Sequence, residues 1–195
     1  MNPLFTVAPF TPETISLSLD EQITIRLLES SDSAKLTAYF GGLSEQTKSY
    51  FAPHSFIVET VEHICKTLNP EEVVRLVAVS SATGKIIAYF LLLSGATPSD
   101  TARFQALGMP IHTATDYSIA PSIADDYQSR GLGNHLMKKS LAIARTMGKQ
   151  RIILWGGIQD RNQRAMHYYQ KYGFINAGQF TNDVLNYDMY LPLGD

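Results

Sequence analysis

The chain has 195 residues, of which 45% are hydrophobic and 17% charged, with a formal net charge of −2. That is the composition of a globular domain with a real core. No Lys/Arg cluster exceeds the pair Lys138–Lys139, which argues against general nucleic-acid binding, and the longest apolar run, Ile86 to Leu93, is far too short to span a bilayer.

Residues 1–22, with Pro3, Pro9 and Pro12, read as an irregular N-terminal arm. A single domain is expected over 23–195. The first basic residue is Arg26, so no secretory leader is expected. Ile23, Ile25 and Leu27 alternate as in a half-buried strand. Ser31 or Asp32 is placed to cap a helix that Gly41–Gly42 ends. Residues 44–68 read as helix in two pieces, broken near Pro53. Cys65 is the only cysteine, so no internal disulfide forms, in agreement with a reducing cytoplasm. Val73–Ser80 and Ile86–Leu93 are strands joined by a hairpin turn at Thr83-Gly84-Lys85. Residues 94–113 form a long connection of the kind that is usually functional or disordered, with a short helix over TARFQALG.

Thr115–Ala124 is the next strand, interrupted by Pro121. After the run Gln128-Ser129-Arg130-Gly131-Leu132-Gly133, the residues Leu132, Leu136, Ile143 and Met147 recur at helical spacing, and Met137, Leu141 and Ala144 widen the stripe. Gly148 ends that helix and Arg151–Trp155 is a strand. Gly156–Gly157 then interrupts it, as glycine does at a bulge or a close ligand approach. Asp160-Arg161-Asn162-Gln163 has the form of a capping box. The helix it opens places Ala165, Tyr168, Tyr169 and Tyr172 on one face, and Phe174–Phe180 and Leu185–Leu191 are the closing strands. The order gives a mixed α/β layout with a central meander followed by a parallel crossover. Aromatic-rich edges and the arm are compatible with a homodimer.

The chemistry concentrates at residues 128–134. A helix N-terminus offers N–H groups and a positive dipole end to an anion, and glycines let a phosphate approach the backbone. Gln128 can donate from its side-chain amide and Arg130 adds charge. Taken alone, the hexapeptide is equally a tight turn. A dinucleotide fingerprint would need glycine where Leu136 stands, and a P-loop would need Gly-Lys-Ser/Thr. Breaks at Pro121 and at Gly156–Gly157 would let neighbouring strands diverge, and a linear ligand could pair with the freed backbone. Ordinary strand ends are the other reading of the same residues.

Two motifs in order, Gln128-x-x-Gly131-x-Gly133 and Asn162-x-x-Ala165-x-x-x-Tyr169-x-x-x-Gly173-Phe174, separated by one helix and one strand, resemble the GNAT superfamily of acyl-CoA-dependent N-acetyltransferases. The resemblance implies a mostly antiparallel mixed sheet of about seven strands, splayed between the fourth and fifth, with helices on both faces. It implies acetyl-CoA as co-substrate and no metal. The pyrophosphate would sit on the N–H groups of Gln128, Ser129, Arg130, Gly131, Leu132, Gly133 and Asn134. The pantetheine arm would pair with Ile123, Ala124 and Asp125, and Asn162 would hydrogen-bond it. Lys138, Lys139 and Arg164 are candidates for the adenosine 3′-phosphate or simply solvated side chains. Tyr169 would protonate the leaving thiolate.

The acceptor implied is a primary amine on a small molecule, peptide or protein, with no nucleic-acid or membrane partner. The family often places a Glu on the strand before the phosphate turn. This chain has none there, and Asp116, Tyr117, His54 and His112 stand as candidates for the base, each with a structural reading beside it. An acyl-CoA sensor without turnover is the competing class.

Overall fold

The structure, a computed structural model, describes residues 10–18, 21–51 and 53–194. Among these are nine strands and six α-helices. In chain order they are β1 (Glu13–Ser18), β2 (Glu21–Leu27), α1 (Ser33–Gly41), α2 (Glu45–Ser49), α3 (Val58–Lys66), β3 (Val73–Ser80) and β4 (Ile86–Ser94). Then come α4 (Pro98–Ala106), β5 (Asp116–Ile123), α5 (Leu132–Thr146), β6 (Arg151–Leu154), β7 (Ile158–Gln159), α6 (Gln163–Lys171), β8 (Ile175–Thr181) and β9 (Leu185–Pro192). The strands join in the order β1-β2-β3-β4-β5-β6-β9-β7, with β8 on β9. Pairings β1–β2, β2–β3, β6–β9, β7–β9 and β8–β9 are antiparallel and β5–β6 is parallel. This is the mixed, mostly antiparallel α/β class expected from the sequence.

Nine strands stand where about seven are expected. β1 lies in the stretch read as an irregular arm. Ile15 faces inward opposite Ile23, and outward Gln22 donates to Ser16 Oγ at 2.7 Å. β1 buries only Ile15 among Glu13, Thr14, Ser16 and Ser18, which leaves little apolar signal in the sequence. β7 is two residues long, below the length at which periodicity speaks. Residues 1–9 of the expected arm lie outside the described residues.

The chain packs as two compact units, Met1–Leu92 with Pro121–Ser140 and Leu93–Ala120 with Leu141–Asp195. In the first, β2, β3 and β4 carry the core with Leu36, Phe40 and Val61 from α1 and α3. The first seven residues of β4 are all buried, which is why its sequence runs apolar without alternation. Asp32 stands at the N-cap position of α1, but its side chain makes no capping bond to that helix. Its carboxylate accepts from Arg26 Nη1 at 2.5 Å and Nη2 at 2.8 Å and from the Glu29 N–H at 3.0 Å, an ion pair buried beneath the helix entry. Burial raises the Asp32 carboxyl, but the Arg26 and Glu29 hydrogen bonds outweigh it and hold the group below its ordinary value. The α5 stripe begins in this unit with Leu132, Leu136, Met137 and Ser140 buried.

In the second unit α5 continues with Ala144 buried, whereas Ile143 and Met147 stay half-buried. Asn162, not Asp160, is the N-cap of α6: its side chain accepts from the Ala165 N–H at 3.3 Å. The cap is therefore two residues later than expected and the box is absent, since its N3 position is Ala165; Gln163 instead donates to the Asp160 carbonyl at 2.6 Å. β8 and β9 form the closing hairpin.

Candidate functional site

Strand register decides which backbone groups β5 offers. The Ala124 N–H donates to the Ile87 carbonyl at 2.9 Å, and the Gly95 N–H donates to the Asp116 carbonyl at 2.9 Å. Both bonds fit one antiparallel register of β4 and β5, in which Tyr89 stands opposite Ser122. Even-numbered β5 residues turn their main-chain groups to β4, and odd-numbered ones to the other edge. That other edge pairs with β6 from Asp116↔Arg151 to Ile119↔Leu154, and the Trp155 N–H closes on the Ile119 carbonyl at 2.9 Å. The next odd residue is Pro121, which has no N–H, so the ladder stops there. Beyond it, the Ile123 main chain faces this edge.

In the first unit, the turn after β5 is built around a carboxylate. Asp125 accepts from the Ser44 N–H at 2.8 Å, from Ser44 Oγ at 2.7 Å and from Thr47 Oγ1 at 2.6 Å. Ser44 is the N-cap of α2, so the clamp fixes that helix start to the residue after the edge strand. The Ser44-x-x-Thr47 pair carries no signal in sequence, because its partner is 78 residues away. Gln128 donates from Nε2 to Thr47 Oγ1 at 3.1 Å and to the Ile123 carbonyl at 3.0 Å. Its amide is thus committed to the fold, contrary to the expectation that it donates outward. Arg130 donates to Glu21, and its guanidinium lies 4.9 Å from the Tyr127 ring centroid, so much of its charge is already answered.

The backbone of the turn is unusual. Ser129 has φ 60°, the only non-glycine in the left-handed region among the described residues, and Gly131 follows at φ 88°. Alternation of this kind turns successive N–H groups toward one side, the arrangement of an anion nest, and α5 adds its positive end immediately after. No heavy atom lies within 4 Å of where a Gly131 Cβ would stand. The glycine is therefore required by its dihedral angle, and the space beside it is open. Lys139, read as a phosphate partner or a solvated residue, binds Glu13 at 3.0 Å.

For Asp125, burial raises the carboxyl, while hydrogen bonds from Thr47 and Ser44 together bring it below its ordinary value. A lowered folded-state value means that the clamp contributes fully above the ordinary carboxylate range and fades as pH falls through the lowered value. Asp125→Asn is expected to lose about 1 kcal/mol of stability at pH 7, as for a lost helix cap. The gap from wild type should narrow in urea unfolding as pH falls below the ordinary carboxylate range.

In the second unit, Tyr169 is 7% exposed and packs on Phe174 at 5.1 Å and Tyr168 at 5.5 Å between centroids. Burial pushes its hydroxyl well above the ordinary tyrosine value, so it stays protonated through the neutral range. Asn162 uses its side-chain oxygen on the Ala165 N–H. After Leu154 the chain turns at Gly156 and Gly157, both with positive φ. A Cβ on Gly157 would meet the Phe180 ring and the Tyr187 carbonyl at 2.8 Å. Asp100 holds the turn, accepting from the Gly156 N–H at 3.1 Å, and it is bound in turn by Arg103, which also donates to Asp188 at 2.9 Å.

Two of the base candidates are explained structurally. Asp116 accepts from Arg151 Nη2 at 2.6 Å and from the His112 N–H at 2.7 Å. Tyr117 is 1% exposed beneath Lys149. Among the described residues, no cluster of His, Cys, Asp or Glu is placed to hold a metal ion, and no helix is long and apolar enough to cross a membrane.

A strand edge freed at Pro121, a nest of main-chain groups and a helix N-terminus come together in a mixed α/β protein. The model of the acetyltransferase (GNAT) family matches residues 44–174, and the chain belongs to that family. It is 31% identical to the L-amino acid N-acyltransferase MnaT of Escherichia coli (strain K12) over 68 residues, which is 35% of this chain and 38% of that protein. The chain thus spans little more than a third of the length of that curated relative. The GNAT domain of S. lividans PAT superposes with a TM-score of 0.71 at 18% identity, covering 93% of this chain and 96% of that one. The yncA protein of Salmonella typhimurium, solved with its cofactor acetyl-CoA, gives 0.64 at 17% identity, with 89% and 95% covered. At such identities the likeness to solved structures is one of fold.

Proposed function

We propose that the chain moves an acetyl group from acetyl-CoA to a primary amine of a small molecule or protein, in a reducing cytoplasm. The observation that carries this reading is the left-handed pair Ser129 and Gly131 at the start of α5, held by Gln128 against the edge of β5 that Pro121 frees. An open concave backbone at a helix N-terminus fits a diphosphate.

When bound, acetyl-CoA supplies the acyl group as an activated thioester. Main-chain groups within residues 128–134 would hold its diphosphate, the Gln128 and Asn134 N–H groups being already donated to the Asp125 and Gly131 carbonyls. The outward Ile123 N–H would take its amide-bearing arm, with Asp125 beside it; the Ile123 and Asp125 carbonyls already accept from the Gln128 side chain and N–H. Ala124 would contribute position only, since its N–H is bound to Ile87. Asn162 keeps its amide nitrogen as a donor toward the same arm. An N–H beside Ile123 would stabilise charge on the acyl oxygen, a contribution of roughly 3–4 kcal/mol in comparable sites. Tyr169 would give its proton to the departing sulfur and recover one from the new amide nitrogen.

The name of the E. coli relative puts free L-amino acids first among acceptors to try, with peptides and aminoglycosides after them. Thiol release from acetyl-CoA across that panel tests the reading. Tyr169→Phe is expected to lower kcat about 10²-fold with coenzyme affinity unchanged. Wild-type rate should not fall through Tyr169 ionisation below about pH 10, since the hydroxyl stays protonated there. Coenzyme binding without thiol release from any amine would favour the sensor class. An unchanged kcat in the variant would remove Tyr169 from the acid role.

A further inference from the structure

A transferase acting on amines needs a group that takes a proton from the incoming ammonium. Asp116 is sealed in its ion pair with Arg151, so it cannot serve. One side chain of the first unit does have the required lone pair. His54 lies in the loop between α2 and α3, with Nδ1 2.9 Å from the Ser55 carbonyl oxygen. A carbonyl only accepts, so Nδ1 carries the hydrogen and Nε2 of the neutral ring is a bare acceptor. That Nε2 is buried and has no hydrogen-bond partner, the only side-chain atom so placed among the described residues. A buried acceptor without a donor is costly and calls for a reason.

Four rings enclose it, all edge-on: Phe40 and Phe51 at 5.4 Å between centroids, Tyr89 at 5.8 Å and Phe56 at 6.4 Å. The charged or titratable groups around this box are Arg75 on β3 and Tyr89 on β4, bound to each other at 2.6 Å, with Tyr39 of α1 against Phe40 and Cys65 of α3 within electrostatic reach of Arg75 and Tyr89. α1 and the loop present Phe40, Phe51 and Phe56 to the His54 ring. Burial, with help from Arg75, holds His54 below its ordinary value and keeps it neutral at pH 7.

The box is joined to the edge strand by two routes. Tyr89 stands opposite Ser122 in the β4–β5 register. Tyr39, the neighbour of Phe40 in α1, shares a hydrogen bond with Ser122 Oγ at 2.8 Å. The residue after Ser122 is Ile123, whose main chain faces the free edge.

We propose that His54 Nε2 is the proton acceptor for the substrate amine, and that the aromatic box around it takes an α-amine beside an apolar group in preference to a lysine-type amine. The inference rests on the N-acyltransferase reading. Its chemistry selects the amine class: an α-amino group titrates near 8 and a lysine amine near 10.4, so passing a proton to an imidazole costs the first far less than the second. The ammonium N–H bond breaks and the proton goes to Nε2. The freed nitrogen pair forms the bond to the acyl carbon, and the carbon–sulfur bond breaks with its pair on sulfur. The second nitrogen proton is lost as the amide forms, the sulfur takes one up, and His54 releases the first to water. The net products are the amide, the thiol and one proton.

Two measurements test the proposal. In the wild-type protein, ¹⁵N-histidine spectra should show a bare Nε2 on His54 that shifts on adding L-phenylalaninamide and not on adding Nα-acetyl-lysine. In steady state, His54→Phe and His54→Gln should each lose about 10²-fold in kcat/KM for the α-amine, with coenzyme affinity unchanged. The acid limb of the wild-type pH profile should be absent from both variants. Gln keeps an acceptor but cannot take a proton, so it decides the matter even where Phe fails to fold. Wild-type kcat/KM in either folded variant overturns the proposal. So does turnover of an amine that leaves the His54 signal unmoved, and the transferase reading would then stand alone. A His54 shift without thiol release from any amine overturns the transferase reading and the proton role with it.

Discussion

Gly131→Glu is expected to weaken coenzyme A binding by about 10³-fold or more. Two effects add. Gly131 sits at φ 88°, where a residue with a Cβ costs roughly 1–2 kcal/mol. A carboxylate about 4 Å from a diphosphate charge adds about 4 kcal/mol at the effective dielectric of a protein surface. The open space beside the glycine means that the free protein tolerates the bulk. Gly131→Ala separates the two effects, since it carries the strain alone and should lose about tenfold or less. Calorimetric titration of both variants with coenzyme A is the measurement. Equal affinity in Gly131→Glu and wild type would remove the diphosphate from this turn.

Arg103→Met is expected to destabilise the protein by about 3–5 kcal/mol, the cost of leaving buried carboxylates without their cation. Asp100 and Asp188 are 1% and 2% exposed, and Arg103 is bound to both. Its guanidinium also lies 3.8 Å over the Phe180 ring. Asp100 in turn holds the Gly156 N–H, so the loss should spread to the turn that ends β6 and lower turnover as well. Asp188→Asn in the Arg103→Met background should restore some of the stability, because one of the two charges is then removed. Urea unfolding of the three proteins checks this, and a loss under 1 kcal/mol in Arg103→Met would mean that water reaches the pair.

Much of this molecule was legible before its structure. The strands around Ile23, Val73, Ile86 and Arg151 declared themselves by alternation or by apolar runs, and the glycine turn by its residue types. Pro121 announced the end of a ladder, because a missing N–H is a property of the residue itself. What was hidden depends on partners distant in sequence. The Asp125 clamp needs Ser44 and Thr47, and the committed amide of Gln128 needs Thr47. Asp32 looks like a cap until Arg26 claims its carboxylate. Asp160 and Gln163 have the residue types of a capping box, but Asn162 takes the cap of α6, and local pattern cannot choose between the two. His54 was nameable as a base candidate. Only the ring packing shows that one of its nitrogens lacks a donor.

The account turns on main-chain groups at residues 128–134 taking the coenzyme's diphosphate. Backbone amide shifts of the ¹⁵N-labelled protein, followed while coenzyme A is added, test it most directly. The expected result is saturable, large shifts at Ser129 to Asn134 and at Ile123, with small ones at exposed helical sites such as Glu62. Saturation with those amides unmoved, or no saturation at millimolar coenzyme A, would contradict it.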